Sequence, residues 1–243
     1  MRTLIISDVH ANLTALEAVL EDAGEYSRVW CLGDLVGYGP DPNQCIERVS
    51  ALPGLQSVKG NHDAAILGEI ETFAFNYEAR ASLTWLETEL SPANRAWLSE
   101  LDERKAVDGV TLAHGSPRNP VWEYILDLGT ARQNMRQFDT TICLVGHTHL
   151  PCIYQMVGDN PLSTRQHLMV QDEPFKLEHK SIVNPGSVGQ PRDHDPRSAY
   201  LIYDDKDDSW TFHRVAYDVL QVQERILAAG LPKRHAYRLE EGW

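Results

Sequence analysis

The first sixty residues alternate between short apolar runs and amphipathic stretches, and this alternation restricts the fold more than any other feature of the sequence. Strands are predicted at residues 4–6, 29–32 and 55–58. A helix is predicted after the first strand, where Leu13, Leu16 and Leu20 repeat at helical spacing behind Asn12, a favourable N-cap residue. A second helix is predicted at 42–52, with Pro42 in its first turn. Repeated strand-helix units indicate a layered α/β fold.

The rest of the chain is first helical and then rich in strands. Residues 63–104 predict a helical insertion, with leucines on one stripe and a second helix beginning at Ser91-Pro92. Asp108-Gly109 between apolar residues predicts a β-hairpin. Further strands are predicted at 141–145, 152–157, 167–170, 181–183, 199–203 and 210–215. The segment from 158 to 176 has no clear periodicity, so a loop and an extended hairpin both remain open.

No internal repeat and no Gly/Ser-rich linker divides the chain. We therefore expect one domain over 1–243, with the helical insertion at about 63–104, and two stacked sheets with helices outside. The four cysteines lack a C-x-x-C spacing and are interpreted as small buried hydrophobic residues.

The chain carries 35 acidic and 22 basic side chains, a formal net charge of −13. Such a charge repels polyanions, so it argues against nucleic-acid polymers as partners. No apolar run approaches the roughly 18 residues of a membrane-spanning helix, and no signal-peptide pattern is recognisable. We expect no membrane partner and a cytoplasmic location.

Clusters of Asp, Asn and His follow five of the predicted strands, at the edge where open α/β sheets place their sites. Each cluster alone is typical of a polar turn or a helix cap. The ordered series predicts one shared site. Its members are Asp8 with His10, Asp34, Asn61-His62-Asp63, His114, and His147 with His149.

Seven of these side chains form a ligand set of oxygen and nitrogen donors without a thiolate. This set suits first-row transition metals better than calcium, and it is too large for one tetrahedral zinc ion. Two ions that share one bridging carboxylate would each receive four ligands. The seven residues are Asp8, His10, Asp34, Asn61, His114, His147 and His149.

The same clusters resemble, in their usual order, the five motifs of the calcineurin-like metallophosphoesterase superfamily. The quoted motifs are Asp8-Val9-His10, Gly33-Asp34, Gly60-Asn61-His62-Asp63, His114 and Gly146-His147-Thr148-His149. Asn184-Pro185-Gly186-Ser187-Val188 and Arg197-Ser198-Ala199-Tyr200 are similar to the small bacterial and archaeal phosphodiesterase-like branch. The resemblance implies a four-layer αββα fold, in which two mixed sheets form a sandwich flanked by helices.

The resemblance also implies a reaction. We expect a binuclear metal-dependent phosphoesterase that hydrolyses phosphodiesters or small phosphomonoesters through in-line attack of a metal-bridging hydroxide. The expected cofactors are two divalent ions, with Mn²⁺ foremost and Fe, Zn, Ni, Co or Mg as alternatives. A non-catalytic metal-binding scaffold of the same fold is the alternative function, and the expected partner is a small phosphorylated substrate.

Residue roles follow from the resemblance position by position. The first metal would be held by Asp8, His10, Asp34 and His149. The second would be held by Asp34, Asn61, His114 and His147. Asp34 would bridge the metals, and His62 would act outside the metal shell as general acid or phosphate contact. Expected substrate contacts are Arg192, Asn61 and His62, although a solvated surface role for Arg192 is equally open.

The chain differs at two places from the protein phosphatases and dinucleoside tetraphosphatases of the superfamily, and these differences narrow the range of activities that we expect. After Gly33-Asp34 the chain continues Leu35-Val36-Gly37-Tyr38, without the acidic-arginine pair that protein phosphatases and dinucleoside tetraphosphatases carry. Asp63 stands where those enzymes have Glu. Both differences disfavour protein phosphatase activity.

Overall fold

The computed structural model describes all residues from Met1 to Trp243 and contains twelve strands and eight α-helices. The strands, in chain order, are β1 Arg2–Ile6, β2 Arg28–Cys31, β3 Gln56–Ser57, β4 Arg104–Val107, β5 Val110–Ala113, β6 Ile142–Leu144, β7 Cys152–Gln155, β8 Arg165–His167, β9 Pro174–Phe175, β10 Ser181–Asn184, β11 Ser198–Asp204 and β12 Ser209–Val215. The helices are α1 Leu13–Asp22, α2 Pro42–Ser50, α3 Asn61–Ile66, α4 Tyr77–Glu89, α5 Pro92–Ser99, α6 Leu128–Asn134, α7 Val219–Ala228 and α8 Lys233–Glu241.

The strands form two mixed sheets of six strands each. The first sheet has the order β3-β2-β1-β11-β12-β9, and the second has the order β4-β5-β6-β10-β7-β8. In the first sheet β1 runs parallel to β2 and antiparallel to β11. In the second, β6 runs parallel to both β5 and β10. The sandwich predicted from the sequence is confirmed.

Strand β1 shows how one sequence run supplies both faces of the first sheet. Leu4 and Ile6 pack among the residues of α1 and α2, whereas Ile5 packs between the sheets with Leu144 and Leu201. Side chains alternate across a strand, so an uninterrupted apolar run is what a strand buried on both faces requires.

The predicted elements are found with small shifts, and the hairpin lies where Asp108-Gly109 placed it. The strand predicted at 167–170 is wrong in position, because the pairing residues are Arg165–His167. The segment 158–176 is neither a plain loop nor a single hairpin, since β8 pairs in the second sheet and β9 in the first. The hydrophobic pattern of this segment did not reveal β8, because all three β8 residues are exposed. A strand without a buried face has no alternation of apolar and polar residues.

Three helices have no counterpart in the sequence analysis: α6 and the C-terminal pair α7 and α8. The C-terminal pair buries its own apolar cluster, which includes Val222, Ile226 and Leu239. The predicted helical segment 63–104 contains α4, α5 and most of α3, with Leu83, Leu86 and Leu90 buried as expected. None of the helices combines the length and apolar character needed to cross a membrane.

Candidate metal centre

The seven predicted ligands lie at one end of the sandwich. Asp8 follows β1, Asp34 follows β2, and Asn61 begins α3 just after β3. In the second sheet His114 follows β5, and His147 follows the parallel neighbour β6. The carboxyl ends of these strands meet at one edge, so residues far apart in sequence come together. None of the seven exposes more than 3 % of its surface.

The backbone at these residues is held in an uncommon conformation. Asp8, His10, Asp34, His147 and His149 all have positive φ angles, between 47° and 64°. Non-glycine residues adopt this region at a cost of order 1–3 kcal/mol each, and several of them in one place are typical of a functional site. Hydrogen bonds between the first two loops fix this geometry, including the 2.9 Å bond from the His10 N–H to the Asp34 carbonyl.

Two glycines allow the loops to approach closely. A Cβ added to Gly33 would lie 2.5 Å from the Gly60 nitrogen, and one added to Gly60 would lie 2.1 Å from Asp34 Oδ1. Any side chain at either position would push apart the loops that carry Asp34 and Asn61. The glycines of the second and third motifs therefore serve close backbone packing.

Asp63 organises the loop that carries Asp34. Its carboxylate accepts N–H bonds from Asp34 and Gly60 on Oδ2, at 2.8 and 2.9 Å, and from Leu35 and Val36 on Oδ1, at 3.0 and 3.3 Å. Burial and the neighbouring charge of Asp34 raise the pKa of Asp63 to about 7. The backbone donors act in the opposite direction and offset only part of this effect. Through these bonds Asp63 positions the backbone of Asp34.

Backbone carbonyls orient four of the histidines. His10 Nδ1 faces the Val36 carbonyl at 3.1 Å, and His114 Nδ1 faces the Leu32 carbonyl at 2.8 Å. His149 Nδ1 bonds the Gln190 carbonyl, and His147 Nε2 bonds the Trp122 carbonyl at 3.1 Å. A carbonyl only accepts, so the facing ring nitrogen carries the proton and the other nitrogen of a neutral ring presents a lone pair. Such outer contacts are the usual support of metal-binding histidines.

The remaining ring nitrogens face each other in two pairs. His10 Nε2 and His149 Nε2 are 3.1 Å apart, and His114 Nε2 and His147 Nδ1 are 3.2 Å apart. Two lone pairs at this distance repel unless a cation lies between them. Donors bound at about 2.1 Å to one ion stand roughly 3 Å apart, so the spacing fits a bound metal at each pair.

The carboxylates complete this arrangement. Asp34 Oδ2 lies 3.6 Å from His10 Nε2 and 3.3 Å from His114 Nε2, between the two histidine pairs. Asp8 Oδ1 lies 3.2 Å from His149 Nε2, and Asn61 Oδ1 lies 3.0 Å from His114 Nε2. The structure thus brings all seven predicted ligands together, and their division between two metals stays a prediction.

The buried charges are strongly coupled. Burial acts to raise the pKa of Asp34, but His114 and His62 outweigh it and hold that pKa well below its usual range. Burial acts to lower the pKa of His114, but Asp34 outweighs it and raises the pKa to about 9. His10 and His147 have pKa values well below the usual range, mainly because of burial. Neutral imidazole and ionised carboxylate are the forms that bind metals.

His62 lies beside the predicted ligands. A ring nitrogen of His62, a ring nitrogen of His10 and a carboxylate oxygen of Asp34 all lie within 4.8 Å of one another. Its Nδ1 is buried and has no hydrogen-bond partner. Burial lowers the pKa of His62 to about 4, against the attraction of Asp34. His62 is therefore close enough to the centre to contact a ligand bound there.

A family model described as the calcineurin-like phosphoesterase superfamily domain matches residues 1–208. The chain belongs to this superfamily. It is similar to a metallophosphoesterase of known structure from Sphaerobacter thermophilus, with 44% identity, a TM-score of 0.91 and coverage of 100% of this chain and 99% of that one. An uncharacterized protein from Methanocaldococcus jannaschii is 34% identical, covering 97% of this chain and 96% of its own length.

A more distant relative carries a functional name. The symmetrical bis(5'-nucleosyl)-tetraphosphatase of Proteus mirabilis is 29% identical over 178 residues, which are 66% of this chain and 59% of that protein. The chain therefore spans less than two thirds of that relative.

Arg192, for which the sequence left a phosphate contact and a solvated surface role open, lies near His62 in the structure. The centre of its guanidinium lies 5.8 Å from the centroid of the Tyr38 ring, and that ring lies 4.4 Å from the His62 ring. Arg192 Nε is buried and has no partner. Arg192 therefore lies beside the centre and is not a freely solvated surface side chain.

Two aromatic residues beside the second histidine pair, Trp122 and Tyr124, were not identified from the sequence. The Tyr124 ring stacks on His147 with centroids 3.7 Å apart, and Trp122 contacts Phe75 at 4.9 Å. Phe75, from the predicted helical segment, lies edge-on to His62 at 5.1 Å. Trp122 and Tyr124 follow the His114 motif within ten residues, and this proximity was the only signal for them.

Proposed function

We propose that this superfamily member is a binuclear metal-dependent phosphoesterase that hydrolyses small phosphorylated substrates. The observation that carries the proposal is the pair of histidine contacts at 3.1 and 3.2 Å, with Asp34 Oδ2 between them. With every ring neutral and donating to its carbonyl, both contacts bring two lone pairs together, and protons relieve them only if one ring of each pair becomes a buried cation. Two cations satisfy both.

The ligands would divide around Asp34. Asp8, His10 and His149 would hold one ion, and Asn61, His114 and His147 the other, with Asp34 shared. Bound divalent ions lower the pKa of a coordinated water and offset charge on phosphoryl oxygens. Asp8 and Asp34 keep the charge of the centre balanced, because their pKa values lie well below the usual range.

His62 and Arg192 would act on the substrate. His62 lies next to Asp34 through the bond from its own backbone N–H to Asp34 Oδ1, at 2.9 Å. A phosphate bound beside the ring would raise the pKa of His62, since a neighbouring negative charge favours the protonated form. His62 would then donate a proton to the leaving oxygen or a hydrogen bond to the phosphoryl group. Arg192 would bind a phosphate oxygen with its guanidinium.

Two observations support a small nucleotide-like substrate. The net charge of −13 opposes long polyanions. The relative from Proteus mirabilis is named for the hydrolysis of a dinucleoside tetraphosphate, and the Sphaerobacter thermophilus protein is named a metallophosphoesterase. We place the substrate among phosphodiesters and phosphomonoesters of small molecules, with Mn²⁺ as the foremost metal.

The test is a rate assay with bis(p-nitrophenyl) phosphate and p-nitrophenyl phosphate. The protein is stripped with a chelator, restored with Mn²⁺, and compared with Asp34→Asn and with Asp127→Asn. Asp127 is exposed and caps α6, where Asn serves equally well, so it is a matched control. We expect metal-dependent turnover that only Asp34→Asn abolishes. Absence of turnover on both esters, with metal bound, would favour the non-catalytic scaffold.

A further inference from the structure

A cavity of about 480 Å³ lies beside the metal centre and contains none of the residues assigned to the reaction. Sites for small organic ligands usually have volumes of roughly 300–1,000 Å³. The residues that line the cavity come from the segment after β5, from β7, from the segment that contains β8, from the loop before β11 and from β12. The cavity therefore has the size of a small-molecule site.

Three segments of the chain connect the metal centre with the lining of this cavity. In each segment, a residue at the centre is followed directly by residues that line the cavity. These are Tyr124 before Ile125 and Leu126, His149 before Leu150 and Pro151, and Arg192 before Asp193. Tyr124 belongs to the centre because its ring stacks on His147, with centroids 3.7 Å apart. Consecutive Cα atoms are about 3.8 Å apart, so the cavity adjoins the centre.

Much of the cavity lining is apolar. Leu150, Met169 and Phe212 contribute to it, together with Leu126 and Leu168. Leu126 is 57 % exposed and Leu168 is 80 % exposed, so neither side chain is part of a buried core. Exposed apolar side chains that border a cavity are typical of a ligand-binding surface. An apolar surface of the ligand is therefore expected to lie against these residues.

The charged side chains of the lining are already paired. Arg214 forms ion pairs with Asp193 and Asp195, and Arg197 forms an ion pair with Asp195. Because both arginines have carboxylate partners, the lining is not suited to a further phosphate. A hydrocarbon chain would cover these polar groups without giving them hydrogen bonds, which is unfavourable. The expected occupant is therefore a group with apolar faces and a polar edge.

Asp193 has one oxygen that lacks a partner. Its Oδ2 accepts a hydrogen bond from Arg214 Nη2, whereas its Oδ1 is buried and has no hydrogen-bond donor. A buried acceptor without a donor is unfavourable for the folded chain. An N–H group of a ligand in the cavity would supply the missing donor.

We propose that this cavity binds the nucleobase of a nucleotide ester whose phosphate reacts at the metal centre, with an amino group of the base donating to Asp193. A nucleobase has planar faces that pack on other side chains, and adenine carries an amino donor on its edge. This inference rests on the proposed function for the reaction of the phosphate, whereas binding of the base depends on the cavity alone.

The kinetic test uses two esters with the same leaving group, adenosine 5'-(p-nitrophenyl phosphate) and methyl p-nitrophenyl phosphate. The double variant Leu126→Gln/Leu168→Gln removes two apolar side chains from the lining. The control Leu162→Gln/Leu220→Gln makes the same changes at positions that are 69 % exposed and lie outside the cavity. In the first variant we expect kcat/KM to fall at least fivefold for the adenosine ester and less than twofold for the methyl ester. Equal losses for both esters would overturn the proposal.

The role of Asp193 is tested with the p-nitrophenyl ester of purine riboside 5'-phosphate, which lacks the amino group of adenosine. With the unchanged protein, kcat/KM should be at least fivefold lower for this ester than for the adenosine ester. In Asp193→Asn the side chain keeps one oxygen for Arg214 and presents an NH₂ group in place of the free acceptor, so the ratio should fall to about one. A general disturbance of the fold would lower both values together. An unchanged ratio in Asp193→Asn would contradict the role of Asp193.

A binding test separates this proposal from the proposed function. Adenosine 5'-monophosphate and ribose 5-phosphate are titrated calorimetrically into the full-length protein with Mn²⁺ and into both double variants. We expect the nucleotide to bind at least tenfold more tightly than ribose 5-phosphate, and we expect this difference to shrink only in Leu126→Gln/Leu168→Gln. Equal Kd values for the two compounds would overturn the proposal. Tighter binding of the nucleotide without turnover of any ester would support the cavity site and refute the catalytic function alone.

Discussion

Replacing Asp63 by Asn tests whether the Asp34 loop is held by a buried carboxylate. Asp63 is fully buried, and its two oxygens accept four backbone N–H groups. Asn keeps one acceptor oxygen and places an NH₂ group against the donors that faced the other. Two buried N–H groups then lose their partner, at about 1–3 kcal/mol each. The free energy of unfolding should therefore fall by about 2–6 kcal/mol.

The assay is urea unfolding of the full chain, with Asp127→Asn as the control. We expect Asp127→Asn to change the free energy of unfolding by less than about 0.5 kcal/mol, because Asn and Asp cap helices equally well. Asp63→Asn should also weaken Mn²⁺ binding, because Asp34 is part of the loop that Asp63 holds in place. A loss below about 1 kcal/mol with unchanged Mn²⁺ affinity would show that the four hydrogen bonds do not hold the loop.

Three further substitutions address neighbouring features. Gly37→Ala would place a Cβ 2.3 Å from His62 Nδ1, at a residue whose φ is +91°. The His62 ring would have to move, so kcat should fall at least tenfold. Gly68→Ala is the control and should leave kcat unchanged, because the space around Gly68 is open. His62→Gln should lower kcat about 10²–10⁴-fold while bound Mn²⁺, measured by elemental analysis, stays constant; a loss of metal would make His62 a ligand. Burial lowers the pKa of His235 from 6.5 to about 4, so its contribution to stability is complete above pH 6.5 and about 2 kcal/mol is lost by pH 5. In His235→Gln the free energy of unfolding should depend correspondingly less on pH, and an unchanged pH slope would contradict the assignment.

The site was predictable from the sequence because each ligand follows a strand. Asp8 and Asp34 each come two residues after an apolar run, and parallel strands such as β1 and β2 end at a common edge. The ordered spacing along the chain therefore contained most of the three-dimensional arrangement. The two stacked sheets with outer helices were also expected from the order of strand-like and helical segments, and Leu4, Ile5 and Ile6 pack on both faces of the first sheet.

The C-terminal contribution to the site was not predictable in this way. His235 meets Tyr38 only through packing of α8 on the centre, and no local pattern links positions so far apart in the chain. His235 belongs to none of the five motifs, and its buried ring packs against that of Tyr38. Tyr124 was missed for a related reason, since it lies in an irregular segment between β5 and α6, where neither helical nor strand periodicity applies.

The most direct test of the account is a titration of the metal-free protein with Mn²⁺, in which bound metal per chain and the rate on bis(p-nitrophenyl) phosphate are measured together. We expect the rate to rise until two ions are bound per chain, and we expect Asp34→Asn, which lacks the shared carboxylate, neither to bind the second ion nor to gain activity. Full activity with one ion bound, or turnover without any metal, would contradict a binuclear centre built around Asp34.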